Sequence, residues 1–191
     1  SSQLMFIELE LAAMDEDGFQ QALIDPDFYH FLPWLRRLRA FAPHQLETRL
    51  EQMLVERTPA GRGAWIRLFD ETATALRFAF QGTEVTEAEI LNKLSDPSAD
   101  IRKEAGQSLS GVMQDNQRLF CLILNVIAKD KEIDDRWRGF NRPVSSRNLA
   151  NDVDDATVDA LASAVTARMP DIAHRYYQLK AGWMDADDLP W

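Results

Sequence analysis

The residues best suited to chemistry are the acids Asp130, Glu132, Asp134 and Asp135, close enough together to suggest a metal site. On a helix, however, Lys131–Asp135, Glu132–Arg136 and Asp134–Arg138 are all i,i+4 pairs of opposite charge. That lattice satisfies itself without an ion, so it reads as structural. A second acidic run, DVDDATVDAL, loosely resembles a calcium loop but lacks the glycine that turns such a loop and its terminal glutamate. Acids at a helix N-terminus account for it better, with Asp154 or Asp155 as the cap. His30, His44 and His174 are scattered, none has a second histidine four residues away, and no His-Glu-x-x-His occurs. Arg36, Arg37 and Arg39 could hold an anion, but they lie off an apolar stripe and read as a solvated face. Cys121 sits in the most apolar run and is expected to be buried, inert and reduced. No residue is assigned here as catalytic or metal-binding, and no substrate-binding residue can be named.

Composition narrows the classes. With 21 Lys and Arg against 31 Asp and Glu, the 191-residue chain carries a net charge of -10. Phosphate neutralisation needs a basic face, so nucleic acid is excluded as the expected partner. The apolar run Leu119–Ala128 is well short of the ~20 residues that span a bilayer, and no membrane association is expected. The opening SSQLMFIELELAAM has no basic start and carries Glu8 and Glu10, unlike a signal peptide. A cytoplasmic location is expected. The missing initiator Met and the apolar Leu-Pro-Trp end suggest that both ends are cuts.

The positioning elements are mainly α: a helical bundle or array with one small β-hairpin near residues 76–86. Leu4, Ile7, Leu11 and Met14 predict a helix ending before Gly18, and a short one follows over Phe19–Ile24. Asp25-Pro26 starts the next, with Phe28, Phe31, Leu32, Leu35, Leu38 and Phe41 on its stripe and Pro33 kinking or restarting it. Leu46, Leu50, Met53 and Leu54 predict a further helix, with Glu47 and Glu51 outside the stripe. Another contains Trp65, Leu68, Phe69, Thr72 and Leu76. The period then drops to two: Leu76, Phe78 and Phe80 alternate with Arg77 and Ala79 ahead of a Gln81-Gly82 turn. Thr86-x-x-Glu89 is a capping box for a helix to about Leu94.

From Ser95-Asp96-Pro97, helical spacing holds as far as Trp137, with Gly106 and Gly111 as the places for a bend. SSRNLAND is expected to be a polar turn. A helix through Val158, Leu161, Val165 and Met169 comes next, and Pro170 starts the last one, through Ile172, Tyr176 and Leu179 to Trp183. The tail DADDLPW reads as loop.

LSDPSADIRKEAGQSL resembles one helix of a HEAT-type repeat. No second copy lies about 40 residues away, so a free-standing HEAT-like interaction domain stands as the alternative.

Six blocks appear in a telling order: FAPHQLETRLEQMLVERT, AWIRLFDETATALRFAFQGTEVT, LSDPSADIRKEA, NVIAKDKEIDDRWRGF, SSRNLANDV and HRYYQLKAGW. In order and wording they resemble the N-terminal half of an oligoendopeptidase F, a bacterial branch of the thimet-oligopeptidase-like zinc metallopeptidases. The resemblance implies an N-terminal oligopeptidase-F domain over residues 1–95 and the first helices of the peptidase catalytic domain over 96–191.

The family's His-Glu-x-x-His, whose two histidines hold zinc while the glutamate activates water, would lie downstream of Trp191. The implied cofactor is thus zinc in the intact enzyme, with none held by this chain. The implied partners are short peptide substrates, and the implied role is one helical wall of their cleft. The resemblance also implies apolar side chains that face the other half: Phe120, Leu124, Ile127, Tyr177 and Trp183. Left uncovered, these are expected to make the isolated chain self-associate.

Overall fold

The computed structural model describes residues 5–186 and 189. Helices α1 (Met5–Ala12), α2 (Glu16–Ile24), α3 (Leu32–Phe41), α4 (Thr48–Arg57) and α5 (Arg62–Ala75) precede a hairpin of β1 (Phe78–Phe80) and β2 (Thr83–Val85). After it come α6 (Glu87–Lys93), α7 (Ala99–Asp115), α8 (Gln117–Trp137), α9 (Ser145–Ala150), α10 (Asp155–Met169) and α11 (Arg175–Trp183). The mainly α fold with one small hairpin is therefore as read from the sequence. The chain forms two compact units, one of residues 1–61 and 129–164, the other of 62–128 and 165–191.

In the first unit, α2 opens at Asp15, whose carboxylate accepts the Gly18 N–H at 2.8 Å. The first helix ends before Gly18 as expected, but the second starts at Glu16 rather than Phe19, because the Asp15 cap sets its first turn three residues earlier and places Gly18 inside it. Leu4, the start of the expected first stripe, lies outside the described residues. Asp25 caps a 3-10 segment, Pro26–Phe31, by accepting the Asp27 N–H at 2.9 Å. Pro33 sits in the first turn of α3, where a missing N–H costs nothing, so the chain restarts there. Ala22, Leu32 and Leu35 form the buried cluster, with Leu11, Phe19, Leu23 and Trp34 packed around it.

The core of the second unit is the hairpin laid on α6 and α7. Phe78 and Phe80 point into it with Ile90 and Ala105, and Leu76, Val85, Leu94, Ile101 and Leu109 surround them. The antiparallel register pairs Phe78 with Val85 and Phe80 with Thr83. Gln81 and Gly82 both take positive φ, 51° and 78°, which makes the two-residue turn a primed one whose twist suits the strands. The Thr86–Glu89 capping box forms: the Glu89 carboxylate accepts the Thr86 N–H at 2.8 Å.

The long helical stretch departs from expectation in where it breaks. α7 passes through Gly106 and Gly111 uninterrupted and ends instead at Asn116. There the Asn116 side-chain amide donates to the Val112 carbonyl at 2.9 Å, competing with the backbone ladder. SSRNLAND is not a turn either, since Ser145–Ala150 is the short helix α9. Pro170 starts a π-helical turn rather than the last α-helix, which begins at Arg175. It has no N–H to donate to an earlier carbonyl, and the chain widens into a π turn over Pro170–His174 between α10 and α11. Of the expected terminal loop, Asp187, Asp188, Pro190 and Trp191 lie outside the described residues.

The hairpin's one-sided burial predicts an asymmetric response. Phe78 is fully buried and Arg77 exposed. Phe78→Ala should cost about 3–5 kcal/mol in urea unfolding, whereas Arg77→Ala should cost close to nothing. Equal costs would show the strand to be in the other register.

Candidate functional site

The acidic lattice on α8 forms as its spacing requires. Lys131 Nζ meets Asp135 at 2.5 Å and also donates to Ser146 Oγ at 2.9 Å. Arg136 Nε lies 3.3 Å from Glu132, and Arg138 Nε lies 2.8 Å from Asp134. These carboxylates are spent on cations of their own helix. DVDDATVDAL is likewise accounted for. Asp154 is the cap of α10, accepting the Thr157 N–H at 2.6 Å. Asp155 accepts Ser145 Oγ at 2.6 Å and Asn148 Nδ2 at 2.7 Å. Asp159 takes both Arg142 Nη atoms, at 2.7 and 2.8 Å. The Ser145 and Asn148 bonds and the Arg142 charge hold the Asp155 carboxyl below the usual carboxylate range, and Arg142 does the same for Asp159. Among the described residues, no group of three or more His, Cys, Asp or Glu comes together in a way that could hold a metal.

The strongest polar constellation is one that the spacing of residues did not reveal. Arg138 Nη1 and Nη2 grip both oxygens of Glu51, at 2.6 and 3.0 Å. The Leu46 N–H donates to Glu51 Oε1 at 3.0 Å. His44 Nδ1 lies 2.8 Å from the Arg138 carbonyl, and its ring stacks on Phe140 with centroids 3.8 Å apart. Glu51, expected outside the apolar stripe of α4, is therefore buried, because its partner arrives from 87 residues along the chain. Burial alone would raise the Glu51 pKa. The Arg138 hydrogen bond, the Leu46 N–H and the Arg138 charge together outweigh it and hold the carboxyl below its ordinary value. The same bonds push the Arg138 guanidinium further toward permanent charge.

This geometry depends on how α8 ends. Gly139 adopts φ 73°, the Phe140 N–H bonds back to Asp135 at 2.9 Å, and the Gly139 N–H to Arg136 at 3.3 Å. That is a Schellman cap, which needs a left-handed residue at Gly139. It turns the chain so that Phe140 and the Arg138 carbonyl both face His44.

The remaining candidates are placed as follows. His30 and His174 are exposed. Arg36 and Arg37 are exposed, but Arg39 is not simply solvated. It donates to the Met14 carbonyl, pairs with Glu16 at 2.7 Å and lies over the Phe19 ring. Cys121 is exposed, which corrects the expected burial. The apolar run around it buries only one side, where Ile123 is 3% exposed, while neighbouring Leu122 and Leu124 are 50% and 67% exposed. Of the side chains expected to face another half of the molecule, Leu124, Tyr177 and Trp183 are exposed. Phe120, which packs edge-on against Phe69, and Ile127 are half-buried.

Comparison with known proteins gives a consistent result. Residues 10–78 match the family model for oligopeptidase F, of the M3 peptidases. The fold matches the crystal structure of oligoendopeptidase-F from Enterococcus faecium with a TM-score of 0.84 over 99% of this chain, at 18% identity. The chain spans 38% of that protein's length. No curated protein matches. The resemblance read from the sequence is thus borne out by family over residues 10–78 and by fold over nearly all of the chain.

The depressed Glu51 pKa sets a pH dependence. Its contribution to stability is fully present above the unfolded value near 4.5 and is lost as pH falls through the lower folded value. The midpoint of urea unfolding should therefore hold from pH 7 to about 5 and then fall. In Glu51→Gln, destabilised at neutral pH, the fall should be shallower. An unchanged acid limb would show that Glu51 does not carry it.

Proposed function

We propose that this chain is the non-catalytic N-terminal portion of a zinc-dependent oligoendopeptidase and forms one wall of the cleft in which short peptides are cut. The observation that carries this reading is the fold match over 99% of the chain to 38% of an oligoendopeptidase-F, joined to the family match over residues 10–78. In this reading residues 1–95 are the oligopeptidase-F N-terminal domain and 96–191 the first helices of the catalytic domain. The protein is cytoplasmic. No described helix is long and apolar enough to cross a membrane.

The described residues do not fit zinc, because no three metal-ligating side chains converge. No step of the reaction is assigned to them. Zinc and the water-activating glutamate belong to a His-Glu-x-x-His segment downstream. What this chain supplies is shape. Leu122, Leu124, Ile172, Tyr177 and Trp183 present large apolar surfaces to solvent, the kind of area that a further part of an enzyme covers. Uncovered, it supports the self-association expected of the isolated chain. A helical wall admits an extended peptide and excludes a folded protein by width alone.

Two measurements test this. Reading the gene past Trp191 should reveal an in-frame His-Glu-x-x-His, whereas a stop codon would favour a free-standing interaction domain. The chain alone should turn over no fluorogenic peptide and retain no stoichiometric zinc after dialysis. Co-expressed with the downstream segment it should support chelator-sensitive cleavage of short peptides. Cleavage by the downstream segment alone, undiminished, would overturn the proposed role.

A further inference from the structure

One exposed apolar segment lies in the first compact unit, apart from the helices just discussed. Between α2 and α3 the chain reads Ile24-Asp-Pro-Asp-Phe-Tyr-His-Phe31. Four of its large side chains face solvent: Ile24 is 82% exposed, Phe28 45%, Tyr29 71% and Phe31 55%. The inward side of the same region is already spent, because Leu32 and Leu35 are buried with Ala22. The outward residues therefore do not turn inward.

The charges around this patch are ordered. Asp25 and Asp27 stand at its start, and Arg36 and Arg37 follow it on α3, all four exposed. Asp25 caps the Asp27 N–H, but neither acid and neither arginine has an ion-pair partner among the described residues. The segment is thus acidic at one end, apolar in the middle and basic at the other. Such an arrangement is complementary to itself when reversed. A two-fold axis through the aromatic centre sets the acids of one copy against the arginines of the other, twice over, and Phe28, Tyr29 and Phe31 against their counterparts.

We propose that residues 24–37 are a homotypic docking surface, occupied by the same segment of a second copy of this chain in antiparallel sense. The four apolar side chains offer roughly 500 Å² per copy, given that an aromatic residue buries about 150–250 Å² in full. The total of about 1,000 Å² is at the lower edge for a specific interface. The expected dimer is therefore weak and in rapid exchange, and its charged ends make it weaken with salt. This surface involves no residue of α8 or α11, the helices whose exposed apolar side chains the peptidase reading uses.

Sedimentation velocity across a concentration series tests it, with charge reversal to identify the contact. Asp27→Lys, which cancels the remaining Asp25 charge, and Arg36→Glu with Arg37→Glu, which sets like charges against each other across the axis, should each raise the dimer dissociation constant, the second by about tenfold or more. In an equimolar mixture of the two variants one end regains the native pairing of two acids with two arginines and the other sets the introduced lysine against the introduced glutamates, so the mixture should associate more tightly than either variant alone, as a heterodimer. Tyr29→Lys leaves both charged ends intact and should also raise the dissociation constant of this contact. Far-UV circular dichroism should be unchanged in all of them, because the altered side chains are exposed. A wild-type chain that stays monomeric at high micromolar concentration overturns the proposal. So does association whose constant is unchanged in every variant, which would place the contact on α8 or α11, and so does a mixture no tighter than its two components.

Discussion

Arg138 ends α8 with its guanidinium bonded to both oxygens of Glu51 and to Asp134, and with its carbonyl against His44. Within the first unit this contact ties residues 44–51 to residues 134–140 across 87 to 94 positions of chain. An arginine suits the place. Its planar fork matches a carboxylate in two bonds at once, which a lysine cannot do. The pair is largely withdrawn from water, with side-chain exposures of 22% and 11%. Desolvation on that scale is costly, and what offsets it is that each partner has further bonds: Asp134 and the His44 carbonyl on one side, the Leu46 N–H on the other. Removing either member alone would leave a charge in a site shaped for two.

The second unit is held by different means. Its core residues Phe78, Phe80, Ile90 and Ala105 lie within 28 positions of one another, and the register is set by a two-residue turn and a capping box. Short loops close at little entropic cost, so local apolar burial suffices and no buried ion pair is needed. The same device ends several helices in the two units. Gly139, Asp152 and Asp185 all take positive φ just past a helix, each followed by an N–H that bonds five residues back. Glycine does this without penalty, and aspartate is among the few other residues that tolerate it.

The local features were legible in the sequence because their causes are local. Phe78 and Phe80 alternate with Arg77 and Ala79, so their inward direction follows from the pleat alone. Lys131–Asp135 and Asp134–Arg138 follow from helical spacing. Where the reading failed, a distant or competing partner decided. Glu51 gives no sign that a guanidinium will meet it from 87 residues away. Asn116 rather than either glycine broke the long helix, because a side-chain amide had a carbonyl in reach. Cys121 and Leu124 sit in the most apolar run but outside the face that packs, and periodicity cannot say how wide that face is. A zinc site could not be read from these residues, since the His-Glu-x-x-His that the resemblance implies does not occur in this sequence.

The claim that one buried pair joins the distant parts of the first unit is tested most directly by a double-mutant cycle on Glu51 and Arg138. Glu51→Ala and Arg138→Ala are each expected to destabilise by about 2–4 kcal/mol, somewhat less than a fully buried pair would. The double variant should cost well short of their sum, with a coupling of at least about 1.5 kcal/mol, because the first substitution already removes what the second would break. Additive losses, or single variants within about 0.5 kcal/mol of the parent, would contradict this account of what holds the unit together.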